Sequence, residues 1–349
     1  MTERIGVALS GGADSALAAW KLSAQGYDVF GLHLLLTRSA ESEQLVRHTA
    51  ETAGRLGIRL EVLDAADSFA ARVIAPFCAE YGAGRTPNPC VTCNREIKFD
   101  LLLKAALERG ADRLATGHYA RVGTYGGRPA LLRAADRNAD QSYFLYAIDA
   151  AVLDRLVLPL GEVSRRDVRA WAREQGLVSG KSSQDICFLG GRDLHSFVSQ
   201  HIPIAPGEVV DVQGGVRGRH RGLAYYTVGQ RHGLGIALGT PAYVVYLDSL
   251  NNRVVIGEDG DLLCEAAHLR DVRWHVPPQG ETFRAEARVR YRAQAVAASV
   301  SLAATGATVR FEQPQRAVAP GQSVVLYDND VVLGGGVVVH TVREARDGH

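Results

Sequence analysis

Lysine, cysteine and long apolar runs are all scarce in this chain of 349 residues. No run of about 18 uncharged apolar residues occurs, so the sequence predicts no membrane-spanning helix and no membrane partner. Five cysteines are too few, and odd in number, for a disulfide scaffold, which favours a reduced intracellular protein. The first ten residues lack the basic start, apolar stretch and cleavage site of a signal peptide, so we expect a cytoplasmic location.

Charge is almost balanced, because 39 basic residues face 38 acidic ones. A net charge near zero gives no global sign of a nucleic-acid partner. Two stretches depart from the balance: residues 216–232 hold four arginines and no acid, and residues 284–292 hold four arginines and one glutamate. Each stretch is either a solvated face or a phosphate-binding surface, and charge alone favours the solvated face.

Apolar strand-like segments alternate with helical segments through the first half of the chain. This order predicts an α/β domain with a parallel sheet covered by helices. The predicted strands are Arg4–Leu9, Val29–Leu36, Arg59–Asp64 and Arg113–Thr116, and the predicted helices are Ser15–Gln25, Ser42–Leu56 and Phe99–Arg109.

The character of the sequence changes after Ile202. A stretch with Pro203, Pro206 and Gly207 reads as a linker, and short β-rich segments separated by turns follow it. That pattern predicts one or two small β-barrels. We therefore expect three domains: a catalytic α/β domain at residues 1–202, a small β-rich central domain at 203–268 and a C-terminal β-barrel at 269–349.

A glycine-rich loop, Ser10–Ser15 (SGGADS), lies between the first predicted strand and the first predicted helix. Its glycines let the backbone turn tightly and point N–H groups inward. The helix N-terminus and Ser15 add donors, so the loop suits a phosphate, against which Asp14 could hold Mg²⁺. A Walker A loop would end in Gly-Lys-Ser/Thr. The loop instead resembles that of the ATP pyrophosphatases, which implies that ATP is split to AMP and pyrophosphate while a substrate oxygen is adenylated.

Two segments place a cysteine beside basic residues. In Thr86–Phe99, two prolines stiffen the start, and Cys93 lies near a predicted helix with Arg95 and Lys98 close by. These cations are expected to lower the pKa of the Cys93 thiol from its free value of about 8.5 and to favour the thiolate. The second segment is Ser182–Phe188, which carries Cys187 after Lys181.

From the residues alone, packed or idle thiols are the better interpretation of these two cysteines, because free cysteine is often buried. Core packing is the better interpretation for Cys78 and Cys264. The two cysteine segments and five others nevertheless resemble, in order from Ile5 to about Val339, the tRNA-specific 2-thiouridylases. The other five are Ala115–Tyr119, Asp140–Tyr146, Gly229–Gly235, Arg290–Arg292 and Pro320–Gln322.

The resemblance implies an adenine nucleotide alpha hydrolase-like domain followed by β-barrels that bind tRNA. It implies an enzyme that uses ATP and Mg²⁺ to put sulfur in place of O2 on the wobble uridine of tRNA, with sulfur from a donor such as a cysteine desulfurase or a sulfur relay. In that family one cysteine carries a persulfide, a position that Cys187 matches, while Cys93 matches the nucleophile or resolving thiol.

The resemblance also assigns binding positions to residues that have no chemical signature of their own. The positions that match nucleotide contacts are Ala8, Leu9, Ser10, Gly11, Gly12, Ala13, Asp14, Ser15, Leu34 and Gly117. The positions that match tRNA contacts, the first three of them at the target base, are Asn88, Pro89, Cys90, His118, Asp140, Gln141, Arg290, Tyr291 and Gln322.

Two departures from the family pattern leave the mechanism open. Cys90 stands where many members have aspartate, and the segment His33–Arg38 lacks a Lys-Asn-Trp run that often follows the second strand. One mechanism is a persulfide and disulfide cycle between Cys187 and Cys93. The other is a [4Fe–4S] cluster held by Cys90, Cys93 and Cys187, since three thiolates would leave one iron open.

Two other classes of protein compete with this reading. A different adenylating ligase, such as a lysidine synthetase, would share the phosphate loop but would not need Cys93 and Cys187. A non-catalytic tRNA-binding protein would not need the intact loop.

Overall fold

The computed structural model describes residues 2–177, 186–236 and 241–343, and the chain divides into two compact units. The first unit comprises Met1–Val73, Cys90–Gly190 and Asp330–Val332. The second comprises Ile74–Pro89, Gly191–Asn329 and Leu333–His349. Within the described ranges, no helix is both long and apolar enough to cross a bilayer.

A five-stranded parallel sheet forms the centre of the first unit, as the sequence predicts. The strands of this unit are β1 (Arg4–Ala8), β2 (Asp28–Leu35), β3 (Leu60–Asp64), β4 (Arg113–Ala115), β5 (Ala120–Tyr125), β6 (Arg128–Arg133) and β7 (Leu156–Val157). The sheet order is β3-β2-β1-β4-β7, while β5 and β6 form an antiparallel hairpin. The order reverses between β1 and β4, and in such sheets ligands bind at the carboxyl ends of the strands beside that point.

The helices are mostly short. They are α1 (Ala13–Ala24), α2 (Ala40–Arg55), α3 (Ala66–Phe69), α4 (Ala75–Gly82), α5 (Pro89–Cys93), α6 (Leu103–Glu108), α7 (Arg165–Glu174) and α8 (Leu194–Ser199). Two π-helical segments, Ala70–Ile74 and Asn94–Leu102, continue α3 and α5. Short 3₁₀ turns occur at Ser142–Phe144, Ala150–Arg155, Cys187–Leu189, Leu223–Tyr225 and Asp259–Leu262.

The helix predicted at Phe99–Arg109 begins ten residues earlier, at Pro89. Proline is favourable in the first turn because its missing N–H would have no partner there. As a result Cys90 and Cys93 are both helical, and the π-helical segment follows Cys93 directly.

The second unit is rich in antiparallel strands, which confirms the predicted β-barrel character. Its strands are β8 (Gly207–Asp211), β9 (Val216–His220), β10 (Tyr243–Asp248), β11 (Arg253–Gly257), β12 (Leu263–Trp274), β13 (Thr282–Arg288), β14 (Val296–Ala303), β15 (Gly306–Arg316), β16 (Ser323–Asp328) and β17 (Val331–Val342), the first two residues of β17 belonging to the first unit. Strands β8 to β11 form a small sheet, and β12 to β17 close into a barrel through the pairing of β12 with β17. The domain boundary expected between residues 268 and 269 falls inside β12.

Candidate active site

The loop Ser10–Ser15 leaves the carboxyl end of β1 and enters α1 at Ala13. Gly11 has a φ of +77°, and a side chain there would come within 2.9 Å of Thr49 on α2, so both the conformation and the space favour glycine. Among the described residues, the amide N–H groups of residues 11–14 donate no hydrogen bond. Four unpaired N–H groups at the positive end of a helix form an anion-binding site.

Ser15 shapes the loop from inside. Its side chain is buried, its hydroxyl donates to the Gly12 carbonyl at 3.0 Å, and the Ser10 amide donates to it at 3.1 Å. The hydroxyl hydrogen is therefore already used within the loop. The expectation that Ser15 adds a side-chain donor for phosphate is not met in this conformation.

Two histidines that the sequence did not single out hold carbonyl groups of the loop. His33 Nδ1 lies 2.9 Å from the Leu9 carbonyl, and His48 Nε2 lies 3.1 Å from the Gly11 carbonyl. A carbonyl can only accept, so each of these ring nitrogens must carry a hydrogen. Burial lowers the pKa of His33, which keeps the ring neutral. The available signal in the sequence was the position of His33 in the segment His33–Arg38, which departs from the family pattern.

Gly117 packs directly on the phosphate loop. It follows β4, and a Cβ atom on it would lie 2.8 Å from both the Asp14 carbonyl carbon and the Ser15 nitrogen. Ala8 ends β1 and Leu34 lies near the end of β2, with its side chain half-buried. The predicted nucleotide positions therefore share one edge of the sheet, at the carboxyl ends of β1, β2 and β4.

Tyr119 is a further residue of this site that sequence reasoning missed. Its side chain is fully buried, and its hydroxyl donates to Asp14 Oδ1 at 2.7 Å. The other carboxylate oxygen of Asp14 has no protein partner among the described residues. Carboxylate oxygen is a ligand that Mg²⁺ prefers, so the donor chemistry of Asp14 fits the predicted role. The sequence offered one indication of this role, because Tyr119 follows His118 in the segment Ala115–Tyr119 that resembles the thiouridylases.

Three thiols lie in the same unit as the phosphate loop. The side chain of Cys93 is 7% exposed, while Cys90 and Cys187 are exposed to solvent. Cys187 begins a 3₁₀ turn, whereas Lys181 and the start of its segment lie outside the described residues. The positive charge of Lys98 lowers the pKa of all three thiols, and the charge of Cys187 raises that of the other two, so the four side chains are coupled electrostatically.

The prediction of a lowered Cys93 pKa is wrong. Burial raises the pKa of the Cys93 thiol to about 11, and the opposing charge of Lys98 is too weak to reverse that shift. Arg95 does not help, because its Nε pairs with Glu96 at 2.7 Å. Although Cys90 and Cys187 reach solvent, the surrounding protein desolvates both thiols enough to raise the pKa of each, again against Lys98. The resting thiols are therefore mainly protonated at neutral pH.

The arrangement of the thiols does not fit a metal centre. In the part of the chain that the structure describes, no group of three or more histidine, cysteine, aspartate or glutamate side chains is placed to hold a metal ion. Cys90, Cys93 and Cys187 as they lie here therefore do not form the ligand set of a [4Fe–4S] cluster.

Comparison with known proteins gives matches along almost the whole chain. The family described as the tRNA methyl transferase HUP domain matches residues 3–191, the PRC-barrel domain of that name matches 195–258, and the aminomethyltransferase beta-barrel domain matches 265–338. A protein of Desulforudis audaxviator named tRNA-specific 2-thiouridylase MnmA is 43% identical, over 97% of this chain and 99% of its own length. A protein of the same name from Acidithiobacillus ferrooxidans is 42% identical, over 96% and 98%.

The chain belongs to the tRNA-specific 2-thiouridylase family. A much weaker likeness, with a TM-score of 0.39 and 17% identity, links 57% of this chain to 64% of a U34-tRNA thiolase, NcsA, of Methanococcus maripaludis that holds a [4Fe–4S] cluster. A likeness of that size does not transfer the cluster to this member of the thiouridylase family.

Three residues that the thiouridylase resemblance assigns to tRNA lie in the first unit. Burial, and then the charge of Lys98, hold the pKa of His118 well below its ordinary value, so its ring is neutral. Asp140 is buried, and its carboxylate accepts from the backbone N–H groups of Ala134 and Ser142, each at 3.1 Å. Gln141 accepts from the Tyr119 amide at 3.0 Å. In this conformation the side chains of Asp140 and Gln141 are engaged by the backbone of their own unit, at Ala134 and Ser142 for Asp140 and at Tyr119 for Gln141.

The other assigned positions lie in the second unit, apart from Cys90. Arg290 is exposed and Tyr291 is half-buried, in the connection between β13 and β14. Gln322 is already engaged, because its side-chain amide donates to the Thr86 carbonyl at 2.8 Å. The Thr86 amide in turn donates to the Pro320 carbonyl at 2.8 Å. The turn at residues 320–322 therefore fixes the start of the segment that contains Asn88 and Pro89.

Proposed function

We propose that the chain is a cytoplasmic tRNA-uridine 2-sulfurtransferase that replaces O2 of the wobble uridine with sulfur. The observation that carries this proposal is the presence, in one compact unit, of a phosphate loop with four unpaired N–H groups and of three thiols that the charge of Lys98 influences. Relatives that are 42–43% identical over nearly their full length bear the name tRNA-specific 2-thiouridylase, which supports the same substrate here.

In the first step the uracil O2 attacks the α-phosphorus of ATP, an O–P bond forms and pyrophosphate leaves. The four free N–H groups of residues 11–14 hold phosphate oxygens, and their fixed dipoles stabilise the charge that develops on them. Asp14, positioned by Tyr119, would hold the Mg²⁺ that neutralises the phosphates. Leu34 and Gly117 line the nucleotide at the edge of the sheet.

In the second step the terminal sulfur of a Cys187 persulfide attacks C2, and AMP leaves with the original oxygen. The thiolate of Cys93 then attacks Cys187 Sγ, which breaks the S–S bond to the transferred atom and leaves 2-thiouridine and a Cys93–Cys187 disulfide. A thiol reductant returns the two thiols, and a sulfur-donor protein reloads Cys187. Cys90 lies beside this pair and takes no covalent part.

The raised pKa of Cys93 sets a condition on this cycle. A thiol with a pKa of about 11 must lose its proton before it can attack, so a change in its surroundings has to accompany tRNA binding. Extrusion of the target base from its stack costs a few kcal/mol. We expect the surroundings of Cys93 to change at that step. Exposed Arg290 and half-buried Tyr291 would contact the RNA, together with the 216–232 stretch.

The test is to incubate the protein with bulk tRNA, ATP, Mg²⁺, a thiol reductant and a persulfide donor, namely a cysteine desulfurase with cysteine, and to analyse the nucleosides for 2-thiouridine. Asp14→Ala should abolish pyrophosphate release that depends on tRNA. Cys187→Ser should lose thiolation but keep ATP and tRNA binding. Cys264→Ala, at a buried cysteine of the second unit, is the control and should thiolate normally. No 2-thiouridine from the unmodified protein with several tRNA pools and donors would refute the proposal.

A further inference from the structure

Arg165 is a cation close to the phosphate loop to which neither the motifs nor the comparisons assign a role. It is the first residue of α7, and its guanidinium lies over the ring of Tyr119, 5.3 Å from the ring centre. The Tyr119 hydroxyl in turn donates to Asp14 at 2.7 Å. Arg165 thus contacts the phenol that holds the loop carboxylate.

The backbone of Arg165 is held firmly. Its amide donates to Asp136 Oδ2 at 3.0 Å, and the preceding Ser164 caps α7 by accepting from the Asp167 amide. Two apolar side chains of α7, Val168 and Trp171, pack in one cluster with Tyr119 and with α1. The start of α7 therefore keeps a fixed place beside the helix that begins at the phosphate loop.

The side chain of Arg165, in contrast, is not neutralised by an acid. In residues 2–177, 186–236 and 241–343 it makes no ion pair with a carboxylate, whereas nearby Arg121 pairs with Glu162 and Asp330. A half-buried guanidinium that rests on an aromatic face keeps its N–H fork available for an anion.

The order of the strands indicates which part of a nucleotide Arg165 would meet. Leu34, on β2, lies on one side of the loop, while Tyr119 follows β4 on the other side. If the nucleoside lies against Leu34, the phosphates extend past the loop amides towards Tyr119. The Asp14 carboxylate repels those phosphates, and a cation beside it offsets the repulsion.

We infer that Arg165 binds the β- and γ-phosphates of ATP and the pyrophosphate that they become, with Tyr119 as the residue that positions it. This rests on the proposed adenylation function and deepens it. An arginine fork suits two oxygens of a phosphate at once. Because negative charge builds on pyrophosphate as it leaves, the contact strengthens in the transition state.

The experiment measures binding of ATP, AMP and inorganic pyrophosphate to the full chain by calorimetry in the presence of Mg²⁺. Arg165→Ala should weaken ATP and pyrophosphate binding at least about tenfold, the effect of losing a hydrogen bond from a charged group, and AMP binding by less than about twofold. Arg165→Lys should recover part of the loss. Arg166→Ala removes an exposed arginine from the next position of α7 and should change none of the three affinities.

Unchanged pyrophosphate binding in Arg165→Ala would overturn the inference, and so would an equal loss for ATP and AMP. A loss of folding would show as a lowered unfolding temperature. Arg165→Gln, which keeps length and polarity, then replaces Arg165→Ala and carries the same expectation. Failure of the proposed function would look different: an unmodified protein that binds pyrophosphate through Arg165 but makes no 2-thiouridine would refute thiolation and leave this inference standing.

Discussion

Replacement of Gly117 by alanine tests whether this residue sets the shape of the phosphate loop. The added Cβ would lie 2.8 Å from the Asp14 carbonyl carbon and the Ser15 nitrogen, and 3.0 Å from the Asp14 oxygen. Ordinary contacts of a Cβ atom begin near 3.4 Å. All three atoms belong to the backbone and cannot rotate away, so the loop peptide or the chain at Gly117 must shift by about half an ångström.

The size of the effect follows from that overlap. An extra methyl group in a packed site costs about 1–3 kcal/mol, and alanine returns about 0.4–1 kcal/mol by restricting the unfolded chain. Taken near the middle of these two ranges, the net loss is about 1–2 kcal/mol, and it falls mainly on the atoms that hold phosphate. If all of it appears in binding, the affinity for ATP falls by roughly five- to thirty-fold.

The assay is tRNA-dependent pyrophosphate release as a function of ATP concentration, with urea denaturation of the same samples. Gly117→Ala should raise the KM for ATP, or lower the free energy of unfolding by the same amount. Gly54→Ala is the matched control, because a Cβ there meets nothing within 4 Å on α2 and should be neutral or stabilising by about 0.5–1 kcal/mol. If Gly117→Ala matches Gly54→Ala in both KM and stability, the loop does not depend on Gly117.

Three other outcomes are expected. The rate at which iodoacetamide labels Cys93 in the resting protein, followed by mass spectrometry, should keep rising about tenfold per pH unit from pH 8 to 10, because burial raises its pKa to about 11; a plateau below pH 9 would contradict this. Gln322→Leu, which removes the donor to the Thr86 carbonyl, should lower the free energy of unfolding by about 1–3 kcal/mol in urea, and an unchanged midpoint would show that the contact is unimportant. Cys90→Ala should keep most thiolation activity and the same iron content after anaerobic purification, whereas joint loss of iron and activity would favour a cluster.

Local sequence rules were enough for the features that depend on neighbours in the chain. The loop Ser10–Ser15 could be predicted because a strand, a glycine pair and a helix start follow one another without interruption. The parallel sheet followed in the same way from alternation of apolar strands and helices. The order of strands and helices also predicts which edge of the sheet binds the nucleotide, because that edge is formed by the carboxyl ends of the strands.

Features that depend on tertiary packing could not be predicted. Arg95 and Lys98 are visible beside Cys93 in the sequence, but the burial that outweighs them is not, and neither is the pairing of Arg95 with Glu96. In the same way the sequence cannot show that the Gln322 amide is occupied by a backbone carbonyl 236 residues away. A polar side chain is open to a ligand only when the fold leaves it unpaired.

The π-helical segment Asn94–Leu102 gives the thiols some tolerance to a change in chain length. A π-helix carries one more residue per hydrogen-bonded turn than an α-helix, so deletion of one residue here would let a turn tighten to α-helix. The tightened turn covers the same rotation with one residue fewer, so Cys90 and Cys93 would keep their direction relative to α6. The same deletion inside a regular α-helix would turn the preceding residues by about 100°. Deletion of one residue between Cys93 and Leu103 is therefore expected to disturb the direction of these cysteines less than deletion of one residue within α6.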